Sequence, residues 1–229
     1  MWKQSDNPAL AKFVGPAIMR LSQLGFVNKK TCREIMKEEE MKRKIGFFED
    51  NNTEDFERFE TIVNSNIYHI QNSDHFSRII VWSVDVIDTL LSFVRIMKEP
   101  YFLLYILNVS RTGQETARYQ SNEIDFLELE RFFIEFGDFI KNDSRHDIWI
   151  HSPGSNSTIV YDKDNLIYLY GDIKRFQELL ITKQFLKQIE SIYLPIPHTH
   201  LYHQEFDQQE VDILQYLKWH ITPLREEDY

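Results

Sequence analysis

The sequence predicts an α+β protein, a helical N-terminal region followed by a mostly antiparallel sheet packed with helices. Three observations lead there. Glycine and proline number only seven each in 229 residues, too few for the many tight turns of a β-sandwich. Apolar residues recur at three- and four-residue spacing over much of the first hundred positions, the period of a helix with one buried face. Beyond Pro100 the period changes to short β-favouring runs separated by turn residues. Hydrophobic residues make up 42% of the chain and aromatic residues 14%. That is enough for a packed core, in one compact unit or in two regions divided as 1–99 (helical) and 100–229 (sheet).

Asn7-Pro8 supplies a cap and a first-turn proline for a helix carrying Leu10, Phe13, Val14, Ala17, Ile18, Leu21 and Leu24, which Pro16 kinks and Gly25 ends. Asn28 or Thr31 caps a charged helix ending near Gly46. Asn52-Thr53-Glu54-Asp55 caps a third, with Phe56, Phe59, Ile62 and Val63 on its apolar face. The strongest helical pattern runs from about Ser73 to Glu99 and closes at Pro100.

The continuous apolar run from Tyr101 to Val109 reads as a central strand covered on both faces. After a loop at 110–122, the segment from Asp125 to Ile140 places Phe126, Leu129, Phe132, Phe133, Phe136 and Phe139 on one side of a helix. Three strands follow, at 147–151, 157–161 and 166–170, the last two joined as a hairpin across Asp162-Lys163-Asp164-Asn165. Gly171-Asp172 opens a helix to about Lys183, residues 191–194 form a strand ended by Pro195 and Pro197, and Asp207 caps a last helix to Leu217. The resulting order, β-α-β-β-β-α-β-α, implies a mostly antiparallel sheet with helices against it.

A net charge of −10 and a pI near 5.3 argue against a nucleic-acid partner, which would require clustered Lys and Arg. The basic run from Lys29 to Lys44 alternates in sign at helical spacing and reads as a solvated helix. A single cysteine, Cys32, excludes an internal disulfide and fits a reducing compartment. The first eight residues lack a basic stretch leading into an apolar run, so a cytoplasmic location is expected. The apolar stretch from Ile79 to Met97 is interrupted by Asp85, Asp88 and Arg95, so no membrane association is expected.

Three groups of residues carry candidate chemistry. In Pro197-His198-Thr199-His200-Leu201-Tyr202-His203, an extended backbone places His198 and His200 on one face, as two metal ligands require. His203 joins them only if the chain turns after Leu201, with Glu205 and Asp207 completing the site. The loop after the central strand carries Arg111, Arg118 and Tyr119, and its two guanidinium forks suit a carboxylate or phosphate. Gly113 stands alone there, so neither a P-loop nor a dinucleotide fingerprint is met. Residues 123–138 hold six acids against one base, among them Glu128, Glu130 and Glu135, a face able to steer a basic partner. Arg145-His146-Asp147 and His151-Ser152-Pro153-Gly154-Ser155 supply elements of a nucleophilic triad without a Gly-x-Ser-x-Gly elbow, and the composition from Ser152 to Ser157 is that of a loop.

The strings Tyr119-Gln120-Ser121, Arg145-His146-Asp147-Ile148-Trp149-Ile150-His151-Ser152-Pro153, Tyr168-Leu169-Tyr170-Gly171, Pro197 to His203 and Thr222-Pro223-Leu224-Arg225 resemble an uncharacterised bacterial protein family. Its members are similar in size and layout to immunity proteins encoded beside polymorphic toxins. The resemblance covers about residues 101–228 and carries over no functional residue. With the net charge, the small size, the single cysteine and the lack of a catalytic signature, it leads to the expectation of an intracellular binding protein, an immunity or antitoxin-like factor that occludes a basic protein such as a toxin through acidic surface; no cofactor is expected. The alternative is an enzyme, either a metal-dependent hydrolase built on His198, His200 and His203 or a phosphate-binding enzyme using Arg111 and Arg118.

Overall fold

In the computed structural model the chain divides into two units, Met1–Arg43 and Lys44–Tyr229. The structure describes residues 43–47, 53–189, 192 and 198–228. The helices expected across residues 7–42, with Cys32, therefore lie outside the described residues, as does the expected strand at 191–194 apart from Ile192.

The second unit opens with β1 (Ile45–Phe47), α1 (Thr53–Val63), β2 (Ile67–Asn72), β3 (Ser77–Trp82) and α2 (Val86–Arg95). Next come β4 (Phe102–Leu107), β5 (Ala117–Gln120), α3 (Phe126–Asn142), β6 (His146–Ser152), β7 (Ser157–Tyr161) and β8 (Ile167–Tyr170). It ends with α4 (Ile173–Thr182), β9 (Leu186–Lys187), β10 (His198–His200), α5 (Asp207–Tyr216) and β11 (His220–Pro223). Nine strands form one sheet in the order β11-β5-β4-β6-β7-β8-β3-β2-β9, antiparallel except between β2 and β9, and β1 pairs with β10 in a separate two-stranded ribbon. The α+β class read from the sequence is the class observed.

Strand alternation gives the sheet two faces. Ile79, Val81, Leu103, Tyr105, Leu107, Ile148, Ile150, Ile159, Tyr161, Ile167 and Leu169 point to one, fully buried beneath the helices. There they meet Leu90, Phe93 and Val94 of α2, Phe132, Phe133, Phe136 and Phe139 of α3, and Phe176 and Leu180 of α4. Gly137 faces Ile87, where an added Cβ would stand 3.3 Å from the isoleucine side chain, so glycine allows α2 and α3 to approach closely. On the other face Ile67, Ile80, Trp82 and Leu166 pack with Ile45, Phe59 and Ile192 in a smaller core.

The helix expected from Ser73 to Glu99 is instead β3 followed by α2. The run Ile79-Ile80-Val81-Trp82 is β-branched and apolar on both faces, and it sits between β2 and β8, each pairing with it along the strand. Ser83 ends it: its hydroxyl bonds Thr89 Oγ1 and accepts from the Asp85 amide, opening α2. The sheet thus crosses the expected 99/100 boundary, since β2 and β3 lie before it. Gly46, expected at the end of a helix, is in β1, and Ala117–Gln120, expected in a loop, is a strand paired with β4 and β11. Among the described residues no helix is long and apolar enough to cross a membrane.

Candidate functional sites

Of the arginine-loop residues, Arg118 and Tyr119 are buried and Arg111 is exposed. Arg111 Nε donates to Asp207 Oδ1 at 2.9 Å, and the hydroxyls of Ser110 and Thr112 donate to Glu210. Arg118 is 6% exposed, donates to Asp228 at 2.7 Å and lies over the Trp149 ring. Tyr119 is buried, with its hydroxyl donating to the Glu115 carbonyl. Arg118 is thus buried against a carboxylate of the chain itself, and Arg111, which stays exposed, pairs with another through its Nε.

Behind them stands a network whose members are far apart in sequence. Arg145, fully buried just before β6, donates to both carboxylate oxygens of Asp143 at 2.8 and 2.9 Å, to Glu210, and to the His203 carbonyl at 2.9 Å. Burial alone would favour the neutral form of Glu210. The hydroxyls of Ser110 and Thr112 and the Arg145 guanidinium outweigh it and hold the carboxyl below its ordinary value. These bonds pin α5 to the loop after β4.

The acidic residues of α3 divide by role. Asp125 accepts from the Glu128 amide at 2.8 Å while Glu128 reaches back to the Asp125 amide, a capping box that fixes the first turn. Glu130 pairs with Arg95 at 2.8 Å. Glu135 is exposed. Leu127 and Ile134 are 58% and 74% exposed, and spacing of three and four residues aligns Leu127, Arg131, Ile134 and Asp138 in one outward stripe. Two large apolar side chains are thus held in solvent on a helix whose opposite side is anchored by phenylalanines, with Glu128 and Glu135 alongside.

The histidines separate as follows. β10 pairs with β1 so that His200 stands opposite Ile45 and His198 opposite Phe47, and both imidazoles reach the same carboxylate. Asp164 Oδ1 lies 2.7 Å from His200 Nε2 and 3.3 Å from His198 Nε2. Asp164 sits on the β7–β8 turn, which Asp162 organises by accepting from the amides of Asp164 and Leu166, while Asp147 accepts from the Lys163 amide. Hydrogen bonds from His198 and His200 hold the Asp164 carboxyl well below the usual carboxylate range.

His203 is not part of this cluster. Its amide donates to Asp143 at 2.7 Å, its carbonyl accepts from Arg145, and its ring lies edge-on to Phe206. The chain beyond Leu201 carries His203 to the Arg145 network instead. Asp207, expected to complete the histidine site, pairs with Arg111 and Arg145 instead, and Asp164 supplies the acid from 34 residues before His198. His151 bonds Thr158, and Ser152 and Ser155 bond the Lys98 backbone, so the triad elements serve the turn.

No protein-family model, curated protein or solved structure matches the chain.

Proposed function

We propose that this chain is a binding protein that occludes a basic partner protein, in the manner of an immunity or antitoxin factor, with the outer face of α3 as the contact surface. The observation that carries the reading is the exposure of Leu127 and Ile134 on a helix bordered by carboxylates. Apolar side chains ringed by charge have the anatomy of an interface, a dry centre within a polar rim. The net charge of −10 would steer a basic protein toward such a surface and raise its encounter rate. Rigid seating of α3 on the sheet through its phenylalanines means little ordering cost on binding. The burial of Arg118 against Asp228 and the pairing of Arg111 Nε with Asp207 weigh against the phosphate-binding alternative.

The reading is tested by affinity capture from lysate of the source cells, comparing the intact chain with Ile134→Asp and Glu135→Lys variants. One basic protein retained by the wild type, released by raised salt and lost from both variants is the expected result. Equal retention by all three would overturn the assignment of this face.

A further inference from the structure

We propose that Asp164, His198 and His200 form a binding site for a divalent transition metal of borderline softness, with Zn2+ the best match. Ligand chemistry comes first. Two imidazole nitrogens and one carboxylate oxygen suit Zn2+ and its neighbours, whereas Mg2+ and Ca2+ take oxygen ligands throughout.

Geometry agrees with that donor set. One ligand atom from each of the three residues lies within 4.8 Å of the others. With metal–ligand bonds of about 2.0–2.2 Å, tetrahedral ligand atoms stand about 3.4 Å apart. The His198–Asp164 separation of 3.3 Å already meets this, and the His200–Asp164 separation of 2.7 Å must widen by a shift within reach of side-chain rotation. The rings stand nearly perpendicular, at 76°, with centroids 5.7 Å apart, so both nitrogens converge without the rings stacking.

The scaffold is rigid on both sides. The β10 end is tied by the Leu201 amide donating to the Lys44 carbonyl at 2.9 Å, and the Ser144 hydroxyl bonds the carbonyls of both Lys44 and Lys163. Ser144 thereby joins the strand pair that carries the histidines to the turn that carries Asp164. Side-chain exposures of 20% and 29% for the histidines and 34% for the aspartate leave the cluster within reach of solvent.

In the metal-free protein each Nε2 donates a proton toward Asp164 Oδ1. The cation would take the Nε2 lone pairs in their place, each imidazole then carrying its one proton on Nδ1, a tautomer exchange with no net change in the protons the site holds. Three protein ligands leave the fourth tetrahedral position to water. The bound ion would fasten the β1–β10 ribbon to the β7–β8 turn of the main sheet.

The test uses the full chain, stripped with chelator and dialysed, then titrated with Co2+ followed by visible absorption and with Zn2+ followed by calorimetry. One equivalent of each is expected, with tetrahedral d–d bands for Co2+. His200→Ala and Asp164→Asn should each weaken Zn2+ binding by about 100-fold or more, beyond what loss of a supporting residue costs, and His203→Ala should leave it unchanged. No stoichiometric binding, or equal loss in His203→Ala, overturns the site. If a ligand variant fails to fold, imidazole proton resonances of the wild type decide. Paramagnetic shifts on Co2+ addition confined to His198 and His200 support the assignment, and shifts at other histidines alone overturn it.

Discussion

The guanidinium of Arg145 and the carboxylate of Glu210 are both inaccessible to solvent and form an ion pair across 65 residues of sequence, joining the residue just before β6 to α5. Glu210 also gathers the hydroxyls of Ser110 and Thr112 and the amides of residues 111 and 112, so one carboxylate closes the loop that follows β4.

Removing that carboxylate leaves Arg145 paired with Asp143 but short of a buried counter-charge. Glu210→Ala is therefore expected to lower stability by about 3–5 kcal/mol, the cost of breaking a buried pair from one side. The exposed Glu205→Ala should change it by less than about 0.5 kcal/mol. Urea denaturation of the two variants beside the wild type checks the difference.

His146 is buried against Phe139 and Tyr105, with Nε2 3.3 Å from the Ile140 carbonyl. Burial, and next the Lys44 ammonium, hold its pKa well below the ordinary histidine value, the Ile140 bond opposing them. The folded protein thus refuses a proton that the unfolded chain accepts below about pH 6.5. Stability from this residue is full above that pH and falls on acidification, with a limiting slope of about 1.4 kcal/mol per pH unit. His146→Leu should remove this component, so that the difference in unfolding free energy between variant and wild type changes between about pH 7.5 and pH 5.5. A constant difference would contradict it.

Leu103 and Leu104 are neighbours on β4 that face opposite sides of the sheet. Leu103 is fully buried beneath the helices, while Leu104 is half-buried beside Trp149. Leu103→Ala should cost about 2–5 kcal/mol, the range for a cavity in a close-packed core. Leu104→Ala should cost clearly less by the same denaturation measurement.

On α3, Glu128 and Glu135 have different work. Glu128→Ala removes half of the capping box and should cost about 1 kcal/mol of stability. Glu135→Lys should leave the melting temperature unchanged while lowering the association rate with the captured partner and flattening its salt dependence. Melting curves and stopped-flow association at two ionic strengths separate the two effects.

Strands whose residues alternate or run apolar between clear turns were legible, as at β4, β6, β7 and β8, and so was α3 from its phenylalanine spacing. β3 reads as helix in the sequence because Ile79 to Met97 has no glycine or proline to mark the break at Ser83, and short apolar runs fit either period. β5 reads as loop because Arg118 looks like a surface residue. Its burial depends on Asp228, 110 positions later. The same distance in sequence hid Asp164: His198 and His200 announce a shared face by their spacing, but the acid that faces them comes from a hairpin turn whose residues already explain themselves as turn formers.

The claim that α3 is the contact surface is tested most directly by placing a photo-crosslinking side chain at position 134, with position 221 on β11 as an exposed control, and irradiating each variant in cell lysate. One basic protein joined in high yield from position 134 and not from position 221 is the expected result. Equal yields from the two positions, or an adduct from 221 alone, would contradict it.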